Sequence, residues 1–357
     1  MGSRGHRGRR VPSPHHNLLA AVLFATAGLP QSAAARIETH RQMSACDRAC
    51  LESFLDRYLA ALGRSQVAQL PIARTVFATE NNREVRVLDG KPTRTMSIRP
   101  TYAIRAADVR TGNIGYLGIA DIGGKAVPYS VRLKVSHGLI TEIETILPES
   151  SLPAAFYEQT AKQVAPRPTF RETVPPAERE SRDEMILIAN AHYEGLEQAD
   201  SRPVPFVPGC HRIENGVALT NNPGFAYPVA AKDGRALPDF GALDCKGLAQ
   251  SGIFDADLIN ARRFPIVDEE RGLVFAYAFY QPFAKAPCAT TENYGEVCPT
   301  NGPGTFKVTS VMVEVFKITG GQIQAMESVW DIQPQTWRSV WWRSNPPQLP
   351  AKFGSNE

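Results

Sequence analysis

The chain repeats itself, and that constrains its fold more than any other feature. Leu133-Lys134-Val135-Ser136-His137-Gly138-Leu139-Ile140-Thr141-Glu142-Ile143-Glu144 aligns without a gap on Phe316-Lys317-Ile318-Thr319-Gly320-Gly321-Gln322-Ile323-Gln324-Ala325-Met326-Glu327, so that Glu144 answers Glu327. Each copy passes from one alternating segment through a glycine turn into another, which is the pattern of paired antiparallel strands and marks a duplicated unit. Other landmarks recur in the same order. Leu51, Phe54, Leu55, Tyr58, Leu59 and Leu62 share one helix face, and Ile186, Ala189, Asn190 and Tyr193 answer it. Thr79-Glu80-Asn81-Asn82 matches Ile213-Glu214-Asn215-Gly216, and Asp108-x-x-x-Gly112 matches Asp268-x-x-x-Gly272. In the latter pair Asp opens a turn and Gly supplies positive φ. The offset grows only between landmarks, so the second copy is the first with longer connections. Each half reads as helix, short strand and long antiparallel meander, an α+β fold.

The domain limits follow from the copies. Residues 1–35 have the layout of a signal peptide: Arg4, Arg7, Arg9 and Arg10 precede the apolar run Leu18 to Leu29, and Ser32-Ala33-Ala34-Ala35 offers small residues for cleavage. That run is too short to span a bilayer, and no other apolar stretch reaches the required length of about 18 residues. A periplasmic or secreted protein without stable membrane insertion is expected. Arg9-Arg10 admits a twin-arginine signal, although Val11-Pro12-Ser13 lacks the residues that usually follow. Residues 44–148 form the first domain, and 149–182 are a linker with Pro153, Pro166, Pro168, Pro175 and Pro176. The second domain covers 183–343 and ends in a segment with Trp330, Trp337, Trp341 and Trp342; 344–357 are expected to be a disordered tail.

Charge argues against a nucleic-acid partner. The chain has 39 Lys and Arg against 36 Asp and Glu; residues 1–35 hold four of the arginines and no acid, which leaves 35 against 36. No basic run with interleaved aromatics provides a footprint for phosphate. All six cysteines lie beyond residue 35, and an even count in an exported chain favours disulfides. The pairing that closes local loops is Cys46–Cys50, Cys210–Cys245 and Cys288–Cys298, the second tying down a Gly-, Pro- and Asp-rich insertion from Asn221 to Ser251. No Cys-x-x-Cys pair supports a metal.

Helix with Tyr58, strand with Glu80-Asn81 and a meander ending in Arg132-Leu133-Lys134-Val135-x-x-Gly-x-Ile resemble the nuclear transport factor 2-like (NTF2-like) cones of the SnoaL-like and ketosteroid-isomerase-like superfamily. More narrowly, Cys46-Asp47-Arg48-Ala49-Cys50-Leu51, the run Arg263-Phe264-Pro265-Ile266-Val267-Asp268-Glu269-Glu270-Arg271-Gly272-Leu273-Val274 and Glu314-Val315-Phe316-Lys317-Ile318 look like the secreted DUF8021 family, over roughly residues 44 to 332. The resemblance implies two tandem NTF2-like cones, each a strongly bent antiparallel sheet around N-terminal helices with a pocket inside. It implies no reaction, because folds host many chemistries.

Such a pocket suits one apolar ligand, and catalysts of this shape rely on a carboxylate, His or Tyr whose pKa burial has moved. Glu314 shares a strand face with Met312, Phe316 and Ile318 and stands where the first copy has Val131. A buried Glu could act as general acid or base; the plainer alternative is a salt bridge to Arg262 or Arg263. His211 replaces Phe77, shares its face with Ile213 and Asn215, and is either a proton carrier beside Tyr193 or a satisfied core or rim histidine. His192 is expected at the surface or an interface. The superfamily resemblance gives Tyr193 a hydroxyl in the pocket, whereas its match to Tyr58 favours shared packing. Arg263, Asn215, Tyr277 and Trp330 complete the candidate ligand contacts. Glu80-Asn81 and Glu214-Asn215 occur in both copies, which favours a turn or sheet-edge role for them over the lesser alternative of catalysis by Glu214 or Asn215. There is no Gly-x-Ser-x-Gly, His-Glu-x-x-His or Gly-x-Gly-x-x-Gly, and Gly118 to Gly124-Lys125-Ala126 misses the phosphate-loop spacing and reads as a hairpin. No cofactor is called for. Two functions remain: a cofactor-independent lyase, dehydratase or isomerase acting on a small apolar or aromatic molecule in the second-domain pocket, or a non-catalytic binding protein for such a molecule. The two copies are candidates for an internal pseudo-dimer.

Overall fold

The computed structural model describes residues 46–64, 66–91, 95–149, 154–305, 307–334 and 338–341. The expected signal peptide, the tail from 344, Trp337 and Trp342 lie outside the described residues. The described residues form one compact unit that holds both halves.

The first half starts with α1 (Arg48–Ala61), capped by Asp47, whose carboxylate accepts from the Cys50 amide. Then come β1 (Ile72–Glu80), β2 (Arg83–Glu84), β3 (Met96–Asp108), β4 (Asn113–Ile122), β5 (Lys125–Ser136) and β6 (Leu139–Ile146). Gly123-Gly124, both at positive φ, make the tight turn from β4 to β5. A short helix α2 (Ala154–Lys162) lies in the Pro-rich connection. The second half opens with α3 (Arg182–Glu197), where Ser181 and Glu184 form a capping box. Its strands are β7 (Phe206–Glu214), β8 (Val217–Ala218), β10 (Leu258–Asp268), β11 (Leu273–Gln281), β14 (Val308–Thr319) and β15 (Gln322–Pro334). The insertion adds β9 (Val229–Ala231) and α4 (Cys245–Gln250), and the connection from β11 to β14 adds β12 (Ala289–Thr291) and β13 (Gly295–Pro299); the three strands form a small sheet of order β12-β13-β9.

The protein is thus mixed α and β, with few helices and two large curled sheets. Their strand orders are β2-β1-β6-β5-β4-β3 and β8-β7-β15-β14-β11-β10, which is one topology written twice. Register agrees residue by residue. Val131 lies between Tyr116 and Thr145, and Glu314 between Ala276 and Ser328. Tyr129 therefore corresponds to Met312, Ala78 to Arg212, and Leu147 to Trp330.

Each sheet buries one face under its own helix. Leu51, Leu55 and Tyr58 of α1 meet Tyr129, Val131 and Leu133, while Met185, Ala189 and Tyr193 of α3 meet Met312, Phe316 and Met326. The opposite faces pack on each other through a third apolar layer that includes Ile104, Leu117, Phe275, Phe279, Val313 and Val329. Strands buried on both sides lose the polar alternation of a half-exposed sheet, as β11 shows.

A reciprocal exchange joins the halves. Asp108 accepts from the Val267 amide at 3.0 Å and from Arg182 at the start of α3 at 2.5 Å. Asp268 accepts from the Ala107 amide at 2.9 Å and from Arg48 at the start of α1 at 2.9 and 2.6 Å. The four partners correspond pairwise between the copies, so the contact has an internal twofold character. The disulfides are Cys46–Cys50, Cys210–Cys245 and Cys288–Cys298; the second anchors α4 to β7.

Candidate functional site

The second half contains a cavity of about 430 Å³. Its walls carry six aromatic side chains: Phe156 from α2, Phe225 and Tyr227 from the insertion, Phe254, Tyr280 from β11 and Trp330 from β15. Two of the hydroxyls are already bonded elsewhere, Tyr227 to the Leu219 carbonyl at 2.8 Å and Tyr280 to Asp257. Ring faces are what these residues present. Polar lining comes from Ser310 and from Arg212 and Glu214 of β7, which pair at 2.7 Å. Glu214 also accepts from the Trp330 indole at 3.0 Å, so the ion pair and one wall are fixed together.

The corresponding hollow of the first half is closed. Only about 20 Å³ is left beside Tyr58, Ala78 and Glu80, with Val85 and Val87 in the lining. Tyr129 stands there in place of Met312, and Val85 in place of Leu219. Val85 donates to the Ala78 carbonyl as Leu219 does to that of Arg212, both at 2.9 Å. Beyond this point the first chain turns across the mouth, and the second departs into its long insertion.

Behind the Arg212 and Met312 wall lies a buried polar cluster. Glu314 is wholly buried on the face that meets α3. One of its oxygens is 3.6 Å from the Arg212 Nε and the other 3.7 Å from the His192 Nε2. Neither oxygen, neither His192 ring nitrogen, nor the Tyr193 hydroxyl closes a hydrogen bond of ordinary geometry among the described residues. Burial pushes the Glu314 carboxyl up to about 7; Arg212 and Tyr193 oppose the rise and the Glu214 charge adds to it. Burial, then the Arg212 and Arg262 charges, hold His192 well below its ordinary value, so it is a neutral imidazole. Glu314, Tyr193 and His192 form one buried cluster of titratable groups, but none of them lines the cavity.

The other sequence candidates are dispersed. His211 is half-buried on the opposite face of β7, its Nδ1 3.2 Å from the Asn221 amide nitrogen, away from Tyr193 and Glu314. Arg262 and Arg263 do not reach Glu314: as consecutive residues of β10 they face opposite sides, and the bulge at Ala261, φ 52°, sets which of them faces α3. Arg262 meets Glu197 and Asn190, whereas Arg263 pairs with Glu144 in the layer between the sheets. Tyr277 belongs to that same layer, under the Arg263 guanidinium at 5.0 Å. Asn215, φ 45°, binds the Trp330 backbone at 3.1 and 3.0 Å, as Asn81 binds that of Leu147 at 2.8 and 3.0 Å. Of the four expected ligand contacts, Trp330 alone lines the cavity.

Arg212 was not singled out by sequence and His192 was expected at the surface or an interface; both left a signal. Arg212 corresponds to the core residue Ala78, and His192 continues the stripe Met185, Ala189, Leu196, so it is buried rather than superficial. Trp341 is buried too, its ring between the guanidinium groups of Arg132 at 4.6 Å and Arg263 at 5.5 Å.

Fold and site together define a two-sheet α+β protein whose second half encloses an aromatic-walled cavity. Residues 178–330 match the family model of a domain of unknown function, DUF8021, the family that the sequence resembles. The match spans α3 and the second sheet. No curated protein matches the chain. Among solved structures, AclR from Streptomyces galilaeus is similar over 32% of this chain and 92% of its own, at 12% identity and a TM-score of 0.23. That likeness is too slight to inform fold or activity.

Proposed function

We propose that the second half binds a small, largely apolar molecule in its cavity without transforming it. The observation that carries this is the position of the proton-handling groups. The lining is mostly aromatic and aliphatic, its one carboxylate, Glu214, is tied up by Arg212 and the Trp330 indole, and Glu314, His192, Tyr193 and His211 all stand outside it. A general base must come within hydrogen-bond reach of the atom it deprotonates, and the Met312 and Arg212 side chains lie between Glu314 and the cavity. The volume falls in the range of small-molecule sites. Three disulfides suit an oxidising compartment, and the layout of residues 1–35 adds support for a periplasmic or secreted location. No described helix is long and apolar enough to cross a membrane. Each half is read as an NTF2-like cone, a proposal that rests on the repeated helix-on-curled-sheet topology.

The test exposes the purified protein to a mixture of small apolar compounds and follows retained and altered masses by mass spectrometry. Retention without any new mass is the expected outcome. Turnover that disappears in Glu314→Gln would instead establish the acid–base enzyme, a reading favoured by the Glu314 carboxyl near 7.

A further inference from the structure

Resting on that binding role, we infer that the cavity selects an uncharged aromatic molecule whose polar head group meets the Arg212–Glu214 pair. The aromatic walls supply ring faces, and their hydroxyls, where present, are spoken for. Selectivity then falls to the floor. Arg212 and Glu214 are opposite charges 2.7 Å apart, so the lining presents a donor beside an acceptor and no net charge. A neutral head with a hydroxyl or carboxamide can donate to the carboxylate and accept from the guanidinium while both keep their mutual partner. A ligand carboxylate competes with Glu214 for Arg212 and leaves a carboxylate without its counter-charge. A ligand ammonium does the same to Arg212. Uncompensated charge in an apolar site is costly, so each charged head is disfavoured for a separate reason. Aromatic walls alone would favour a cation; the guanidinium held over Phe254 at 5.8 Å already takes that position.

Isothermal titration calorimetry at pH 6 with three probes of one ring system tests this: 2-naphthol, 2-naphthoate and 2-naphthylmethylammonium. At this pH Glu314 is largely protonated and adds little charge behind the wall. The neutral probe is expected to bind at least about tenfold more tightly than either ion, the ratio that about 1.4 kcal/mol of charge penalty produces. Equal or tighter binding of naphthoate or the ammonium overturns the inference and leaves the binding role standing. Failure of all three to bind refutes the binding role itself and the inference with it. Glu214→Gln, which leaves Arg212 uncompensated, should shift the preference to naphthoate; an unchanged order in a folded variant overturns the assignment of the floor. Should that variant not fold, the wild-type series decides by itself.

Discussion

Replacing Glu314 by Gln should flatten the dependence of stability on pH. The folded protein holds this carboxyl at about 7 against an ordinary value of 4.5. Because the folded value is raised, the native state keeps a proton that the unfolded chain releases, and stability falls as pH climbs from 4.5 to 7. Above 7 both states are ionised and the loss is complete. At about 1.4 kcal/mol for each tenfold change in ionisation, the deficit at pH 8 relative to pH 4.5 is about 3 kcal/mol. The group is wholly buried, so solvent screening does not reduce the figure appreciably. Gln preserves the shape and cannot ionise. Buried Glu327, also raised to about 7 by its burial, contributes a similar slope, so the informative quantity is the difference between variant and wild type. Urea unfolding midpoints from pH 4.5 to 8 provide it. The two proteins should be close in stability at pH 4.5, and the Glu314→Gln variant should gain about 3 kcal/mol relative to wild type by pH 8. Parallel curves would mean that Glu314 is ordinary in the folded state, and the argument for a proton-handling cluster would fail.

Other outcomes follow from the same contacts. Met312→Tyr, which installs the residue type found at position 129, should fill the cavity and lower affinity for 2-naphthol by at least about tenfold while the melting temperature holds; undiminished binding in calorimetry would place the ligand elsewhere. Asp268→Ala strips a buried acceptor from Arg48 and the Ala107 amide and should cost about 3 kcal/mol in urea unfolding, with a negligible loss counting against the reciprocal Asp exchange as a clamp. Changing Cys210 and Cys245 together to Ser opens a link across 35 residues and should cost about 3 kcal/mol, with weaker naphthol binding as the insertion loosens; binding and stability both unchanged would remove that link from the account of the cavity wall.

The sequence revealed the sheets because their signals are local and repeated. The hairpin from Leu133 to Glu144 and its counterpart ending at Glu327 carry period 2 and turn glycines in register, and the structure pairs them as β5–β6 and β14–β15. Which side of a doubly buried strand faces the site was not readable. In β11, Phe275, Tyr277 and Phe279 face the other sheet while Ala276 and Ala278 face α3, and both sets are apolar. Tyr277, a candidate ligand contact by sequence, belongs to the layer between the sheets. In β7 the misleading signal is charge: alternation suggests that Arg212 and Glu214 face water, yet their mutual pairing lets that face turn inward and leaves His211 outside. The bulge at Ala261 is equally silent, and it decides the separate destinations of Arg262 and Arg263.

The two interiors differ through few substitutions on one backbone, and the difference bears on why the place beside Arg212 is hollow in the second half and its counterpart beside Ala78 is filled in the first. Tyr129 and the chain at Val85 and Val87 occupy the first hollow, where each aromatic ring and β-branched side chain replaces a ligand with a permanent contact. In the second, Met312 is slimmer and the chain after Leu219 is diverted into walls. The paired glutamates show the consequence for electrostatics. Glu80 has Ala78 as its neighbour on the same face and is pushed up to about 7 by burial and by Glu149 beside it. Glu214 has Arg212 in the place of that alanine, at 2.7 Å. The arginine thus makes Glu214 half of a compensated pair, whereas Glu80 stands beside another acid, and a compensated pair lines an apolar cavity at lower cost than a lone charge. The filled first half, clamped through Asp108 and Asp268, meanwhile supplies the rigid backing against which the open half keeps its shape.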